Sequence, residues 1–185
     1  MTITPTPLAG AYIIELAPRR DDRGFFVRTF CKETYEKHGL RTDFVQANHS
    51  RTQGLGTVRG MHFQHPPFGE VKVVRCTRGA ILDVFIDLRT GSPTFLQWFA
   101  VELSEANFRV AYIPPGFAHG FQTLSDDVDV TYQVTASYTP SAEGRVRFDD
   151  PRVGIRWPLP VSGLSPRDAA TEILPSDFTG IRPNE

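Results

Sequence analysis

The sequence predicts an all-β fold in which antiparallel strands form a sandwich or a barrel. Short apolar runs alternate with turn residues over most of the chain, and Gly and Pro number 15 each among 185 residues. Phe alone contributes 14 residues, which suits strands packed around aromatic side chains. Gly and Pro oppose helix interiors, whereas short strands separated by turns are typical of sandwiches and barrels.

The predicted elements follow one another from the N-terminus as strands separated by turns. A first strand is expected at residues 12–16, then a charged turn at 19–24 and a second strand at 25–30. A short helix at 32–38 should end at Gly39, because glycine favours the left-handed conformation that terminates helices. Further strands are predicted at residues 44–49, 57–64, 71–77, 80–87, 95–103, 108–113, 120–124 and 129–135.

The chain is expected to form one domain over residues 1–185, because no linker-like stretch divides it. From about residue 140 the sequence is rich in Pro. We expect this segment to be irregular, apart from a short helix near 166–171, and to wrap the barrel.

Composition argues against several classes of function. The 20 Lys and Arg residues balance 21 Asp and Glu residues, so the charge does not favour binding to nucleic acid or to a membrane surface. No apolar run approaches the roughly 20 residues of a membrane span. The N-terminus lacks the pattern of a signal peptide, and Cys31 and Cys76 suggest neither a disulfide framework nor a zinc site. These features predict a cytoplasmic protein.

Common phosphate-binding and nucleophile motifs are absent from the sequence. There is no G-x-G-x-x-G, no G-x-x-x-x-G-K-[ST] and no G-x-S-x-G. If the protein is an enzyme, its chemistry is therefore expected from His, Tyr, Lys and carboxylate side chains inside the barrel.

The most informative segment is residues 58–65, which read V-R-G-M-H-F-Q-H on a predicted strand. Lys72 follows on the next strand. An apolar interior would not accommodate these polar side chains without partners, whereas a polar barrel lumen would. Strict alternation places Arg59 and His62 on opposite faces, but a bulge at Gly60 would turn both inward.

Two later segments add candidates for the same lumen. His119 follows the turn P-P-G within residues 114–121, and Tyr132 lies in the middle of a predicted strand. Tyr138 could contribute a second hydroxyl if it shares the lumen with His62. His62 and His65 are three residues apart and diverge on a strand, so a three-histidine metal site is not expected.

Taken together, these pieces resemble the deoxysugar-nucleotide epimerase family typified by dTDP-4-dehydrorhamnose 3,5-epimerase. Six pieces match in order: D-R-G-F-F at 22–26, Q-A-N-H-S at 46–50, V-R-G-M-H-F-Q at 58–64, I-P-P-G-F-A-H-G-F at 113–121, D-D-P at 149–151 with I-R-W-P at 155–158, and L-S at 164–165 followed by Asp168. The resemblance implies a cupin-type double-stranded β-helix, or jelly roll, with short peripheral helices. It also implies a homodimer that acts on a nucleoside-diphosphate 4-keto-6-deoxy sugar without a metal or other cofactor.

The resemblance further implies roles for individual residues. His62 would be the base that forms an enolate, Asp168 would orient it, Lys72 would stabilise the enolate oxygen, and Tyr132 would be the acid on the opposite face. Nine residues would bind the substrate, with Arg23 reaching it from across the dimer: Arg23, Arg28, Gln46, Asn48, Arg59, His119, Tyr138, Glu143 and Arg167.

One departure from the family pattern bears on specificity. Arg28 stands where the family usually has a Glu that helps to bind the nucleoside. A group that only accepts hydrogen bonds is thus replaced by one that only donates them. An epimerase for a GDP- or CDP-linked sugar therefore stays open as an alternative. Two others also stay open: an epimerase that inverts C3 alone, and a non-catalytic cupin that binds a sugar nucleotide.

Overall fold

The computed structural model describes residues 1–182, which contain thirteen strands and two short α-helices. The strands are β1 (Thr2–Pro5), β2 (Tyr12–Glu15), β3 (Arg19–Asp21), β4 (Gly24–Phe26), β5 (Gln46–Gln53), β6 (Val58–Gln64), β7 (Lys72–Arg78), β8 (Ala80–Asp87), β9 (Trp98–Ser104), β10 (Arg109–Ile113), β11 (Phe117–Thr123), β12 (Asp127–Val134) and β13 (Glu143–Arg145). The helices are α1 (Lys32–Lys37) and α2 (Pro166–Ala169). Neither helix is long and apolar enough to cross a membrane.

Two antiparallel sheets form the body of the fold. One has six strands in the order β1-β2-β10-β7-β12-β5, and the other has five in the order β13-β6-β11-β8-β9. Strands β3 and β4 form a separate hairpin. Most neighbours within each sheet are distant in sequence, the exceptions being β1-β2 and β8-β9, as expected for a jelly roll rather than a meander. The all-β prediction is confirmed.

The core lies between the two sheets because alternate residues of each strand point inward. Val74 and Val130 from the six-stranded sheet belong to the same buried cluster as Ile81, Phe85 and Phe121 from the five-stranded sheet. This apolar packing positions the strands, and the polar site described below shares their inward-facing side.

The outer face of each sheet is also covered. Met61 and Val84 of the five-stranded sheet pack against Val146, Val153 and other residues that follow β13. Residues of the segment after residue 140 therefore pack on the outside of the strands. A third cluster, on the outer face of the six-stranded sheet, contains Tyr35 from α1.

The N-terminal region differs from the prediction. The charged segment predicted as a turn contains β3, whose Asp21 pairs with Gly24 of β4, so the turn itself is only two residues long. The strand predicted at 25–30 ends at Phe26, because Val27 and Phe30 pack on the outer cluster instead of continuing the hairpin.

Two short strands were not predicted. β1 pairs with β2, and β13 pairs with β6 inside the segment that was expected to be irregular. Both are short edge strands, and their sequences T-I-T-P and E-G-R have little apolar character. Their pairing is set by the neighbouring strand rather than by local sequence.

Candidate active site

A cavity of about 480 Å³ is lined by side chains from both sheets. A second cavity of about 160 Å³ shares three of its lining residues, so the two adjoin. The shared residues are His62, Lys72 and Tyr132. The larger cavity is also lined by Gln46, Asn48, Phe63, Gln64, Glu70, Val134, Tyr138 and Glu143, and the smaller by Ser50, Arg59, His119, Gly120, Phe121 and Val130.

A bulge in β6 brings Arg59 and His62 to the same face. His119 pairs with His62 and Phe121 pairs with Arg59, so three steps along β6 match two steps along β11. The extra residue falls at Gly60, where φ is +124° and a Cβ would lie 2.6 Å from Cα of Gly120. Glycine is therefore required at this position, and the bulge that the sequence left open is present.

His62 is held by Asp168 from helix α2. The Nε2–H of His62 donates to Oδ1 of Asp168 at 2.6 Å, which leaves Nδ1 as the ring nitrogen able to accept a proton. Asp168 is only 4 % exposed. Burial opposes ionisation of Asp168, but the hydrogen bond and charge of His62, together with the Ser165 hydroxyl, lower its pKa below the ordinary value. A carboxylate in this position fixes the imidazole tautomer and stabilises the imidazolium.

Lys72 enters the cavity from the first residue of β7. Burial lowers the pKa of its ammonium group to about 8, and the carboxylate of Glu143 acts in the opposite direction. Nζ contacts Oε1 of Glu70, a residue in the connection between β6 and β7. The cavity thus contains a cation that is largely removed from water.

Tyr132 lines both cavities from the opposite sheet to His62. Its partners are Asn48 on β5 and Val74 on β7. Tyr138 lies in the segment after β12, where its hydroxyl donates to Oε2 of Glu143 at 3.1 Å. Both tyrosines therefore share the lumen with His62.

The smaller cavity contains Arg59 and His119. Arg59 donates to the hydroxyl of Thr52 at 3.1 Å, and the Nε2–H of His119 donates to Oδ1 of Asp83 at 2.7 Å. Asp83 is fully buried, which raises the pKa of its carboxyl group, although the charge of His119 acts against this shift. The guanidinium of Arg59 is thus available to an anion, and His119 adds a second donor when Nδ1 also carries a proton.

Three residues assigned to the substrate site by resemblance lie outside both cavities. Arg23 is exposed at the tip of the β3–β4 hairpin and pairs with Asp21. Arg28 lines a separate pocket near the N-terminus. Arg167 is exposed on α2, next to Asp168.

Several polar residues of the site were not singled out from the sequence. Glu70 and Gln64 line the larger cavity, Asp83 supports His119, and Arg145 binds Glu143 at 2.7 Å and approaches Asp168 at 3.8 Å. A possible signal was Asp83, a charged residue inside the otherwise apolar run of β8. Buried carboxylates need partners, and such a residue marks a polar lumen.

Metal-ligating side chains are not gathered anywhere in residues 1–182: no group of three or more His, Cys, Asp or Glu side chains could hold a metal ion. His65 lies beyond the end of β6, exposed, with its ring 4.8 Å from that of Phe63. The prediction of a metal-free site stays a prediction.

Comparison with known proteins gives the family. The model of the dTDP-4-dehydrorhamnose 3,5-epimerase family matches residues 5–176. A relative of that name from Salmonella typhimurium is 41 % identical over 176 residues, which cover 94 % of this chain and 96 % of the relative.

Solved structures agree with this result. A 3,5-epimerase from Legionella pneumophila, crystallised with dTDP-4-keto-L-rhamnose, has a TM-score of 0.91 and 38 % identity, covering 100 % of this chain and 98 % of its own. ChmJ, a 3'-monoepimerase from Streptomyces bikiniensis in complex with dTDP-quinovose, has a TM-score of 0.86 and 32 % identity, covering 92 % and 86 %. The chain belongs to the dTDP-4-dehydrorhamnose 3,5-epimerase family, and it is an isomerase of the epimerase type.

Proposed function

We propose that the protein inverts C3 and C5 of a nucleoside-diphosphate 4-keto-6-deoxy sugar by proton transfer through an enolate. The observation that carries this proposal is the placement of His62 and Tyr132, which line one cavity from opposite sheets with Lys72 beside them. A ketone at C4 acidifies the protons on C3 and C5. A base on one side of the ring and an acid on the other can therefore invert either carbon.

Each group has a defined part in this reaction. Nδ1 of His62 removes the proton, while Asp168 stabilises the imidazolium that forms. The enolate oxygen is stabilised by the Lys72 ammonium, an electrostatic effect that is large in a site from which water is excluded. The hydroxyl of Tyr132 then returns a proton to the opposite face, as a general acid.

The remaining residues account for binding of the substrate. Arg59 and His119 are proposed to bind the diphosphate, because both are donors in the smaller cavity next to His62. Nucleoside and sugar are assigned to Gln46, Asn48, Tyr138 and Glu143, which line the larger cavity. The names and ligands of the relatives favour dTDP as the nucleotide.

Inversion of C3 alone is the second candidate. ChmJ, named as a 3'-monoepimerase, has nearly the same fold as this chain. The same base and acid would serve both reactions, since the number of inversions depends on how the ring sits in the cavity. A GDP- or CDP-linked substrate remains an alternative because Arg28 replaces the usual Glu.

We further propose a homodimer in the cytoplasm. Arg23 projects from an exposed hairpin that also carries exposed Phe25 and Phe26, and a second copy would explain how Arg23 and Arg28 reach a substrate. The free thiols Cys31 and Cys76 are consistent with a reducing compartment.

Deuterium incorporation tests the proposal. Incubation with a dTDP-linked 4-keto-6-deoxy sugar in heavy water should label C3 and C5; label at C3 alone would identify a monoepimerase. His62→Ala should abolish exchange at both carbons, whereas His38→Ala, at an exposed position just after α1, should leave it unchanged. Absence of label with dTDP-, GDP- and CDP-linked substrates would refute an epimerase, and exchange at the parent rate in His62→Ala would remove His62 from the mechanism.

A further inference from the structure

A buried carboxylate stands next to Lys72 on the side of the larger cavity. Oε1 of Glu70 contacts Nζ of Lys72, and the two side chains are only 9 % and 13 % exposed. Both line the cavity that contains His62 and Tyr132. The proposed reaction uses Lys72 but assigns nothing to Glu70.

Gln64 holds Glu70 in place. Nε2 of Gln64 donates to Oε2 of Glu70 at 2.7 Å. The orientation of the amide is fixed by its other contacts, because Nε2 also donates to the carbonyls of Phe68 and Ser137 while Oε1 accepts from the N–H of Thr139 at 2.6 Å. Glu70 therefore has a neutral donor on one oxygen and the ammonium of Lys72 on the other.

We propose that Glu70 is a positioning residue that keeps Lys72 protonated and aimed into the cavity while the enolate forms. This inference deepens the proposed function and rests on it. Glu70 acts through Lys72, since an opposite charge in contact with a buried cation favours its charged form.

The other groups around Lys72 do not replace Glu70. Those that line its two cavities are Arg59 and His62 from β6, His119 from β11, Tyr132 from β12, and Tyr138 and Glu143 from the segment after β12. Among these groups Glu143 alone is a carboxylate, and it is already bound by Arg145 and Tyr138. Burial lowers the pKa of Lys72 to about 8, and the charge of Glu143 opposes this shift only in part.

The carboxylate of Glu70 can assist Lys72 without removing the positive charge that the enolate needs. A neutral lysine could not stabilise an enolate electrostatically, so retention of the proton comes first. Gln64 donates a hydrogen bond to Oε2 of Glu70, so Lys72 is one of two donors to this carboxylate. An ammonium group has three N–H groups, and those of Lys72 that do not bind Glu70 can donate to the substrate oxygen.

The experiment measures the pKa of Lys72 directly. The chain has three lysines, and Lys32 and Lys37 are exposed on α1, so protein labelled with ¹³C at lysine Cε should give three resolvable signals. Lys72→Met assigns the buried one. Titration of the parent, of Glu70→Gln and of the exposed control Glu102→Gln then gives the pKa of Lys72 in each.

The proposal predicts that Glu70→Gln lowers the pKa of Lys72 by roughly one unit or more, starting from the value of about 8 in the parent. Lys32 and Lys37 should not move, and Glu102→Gln should match the parent. Glu70→Asp keeps the charge and should restore part of the shift. If Glu70→Gln left the pKa of Lys72 unchanged, the proposal would be overturned.

A pH profile of the reaction completes the test. In Glu70→Gln, the fall of kcat at alkaline pH should begin at least one pH unit lower than in the parent, whereas KM at pH 6.5 should change by less than about threefold. An unchanged kcat profile despite a lowered pKa would also refute the positioning role. Failure of the proposed function would look different: the parent would not exchange deuterium, while the lysine titration would still report on Glu70.

Discussion

Replacing Asp168 by Asn tests whether this carboxylate orients His62, the proposed base. The substitution keeps the shape of the side chain but removes the charge that holds Nε2 of His62 at 2.6 Å. A hydrogen bond to a charged group contributes about 1.5–3 kcal/mol. If that contribution is lost where the imidazolium forms, the rate falls roughly 10- to 150-fold.

The decrease in rate can be larger because the substitution can also change the tautomer of His62. The amide of Asn can present its NH₂ group to Nε2, which moves the ring proton to Nδ1 and removes the base from the cavity. In that case the decrease should approach the roughly 10²–10⁴-fold of a lost general base. Because Asp168 lies behind the ring and does not line the cavity, we expect the change in kcat and little change in KM.

The assay is deuterium incorporation at C3 and C5 together with formation of inverted product. Asp149→Asn is the matched control, since Asp149 is exposed and pairs with Arg147 on the surface. Exchange in Asp168→Asn within twofold of the parent would refute the orienting role. An equal loss at Asp149→Asn would indicate a general effect on the fold.

Stability of the same variant should depend on pH in a defined direction. The pKa of Asp168 is lowered in the folded protein, so its ionised form stabilises the fold above the unfolded pKa of about 3.9. This contribution is lost as the pH falls through the lower folded value. The difference in Tm between parent and Asp168→Asn should therefore be largest above about pH 5 and should shrink below about pH 4.

Two further predictions concern the acid and the metal. Tyr132→Phe should reduce net inversion by about 10²–10⁴-fold, while solvent deuterium still enters because His62 can return a proton to the original face. Tyr12→Phe, on the distant strand β2, is the control. Inversion by Tyr132→Phe at the parent rate would leave Tyr132 as a packing residue and make Tyr138 the next candidate for the acid. Dialysis against EDTA should leave activity unchanged; loss of activity that a transition metal restores would contradict a metal-free site.

Much of the fold follows from the sequence because its central strands are apolar and bounded by turns. Strand β8 was predicted with its observed bounds, since A-I-L-D-V-F-I-D is a run of strand-forming residues between Gly79 and the turn at Gly91. Edges were harder to predict. β13 has no apolar pattern, and it forms because β6 offers it hydrogen-bond partners from Gln64 to His62.

In the site as well, some features follow from the local sequence and others depend on tertiary contacts. The sequence indicated only that a bulge at Gly60 would bring Arg59 and His62 to one face, and the register of β11 shows this bulge. Glu70 carries no such local signal. Glu70 is in a loop next to two prolines and a glycine, and its contact with Lys72 depends on how that loop folds back against Gln64.

The arrangement of charges around the cavity fits the reaction proposed for it. Four basic groups around the cavity each contact a carboxylate: His62 with Asp168, Lys72 with Glu70, His119 with Asp83 and Arg145 with Glu143. Removing an unpaired charge from water is costly, so paired groups allow a polar site to exist inside a small barrel. Proton transfer to His62 creates an imidazolium and an enolate together, and the net charge of the cavity does not change during that step. A site of this kind needs to rearrange little charge as the reaction proceeds, which is the condition under which fixed dipoles and charges stabilise a transition state most effectively.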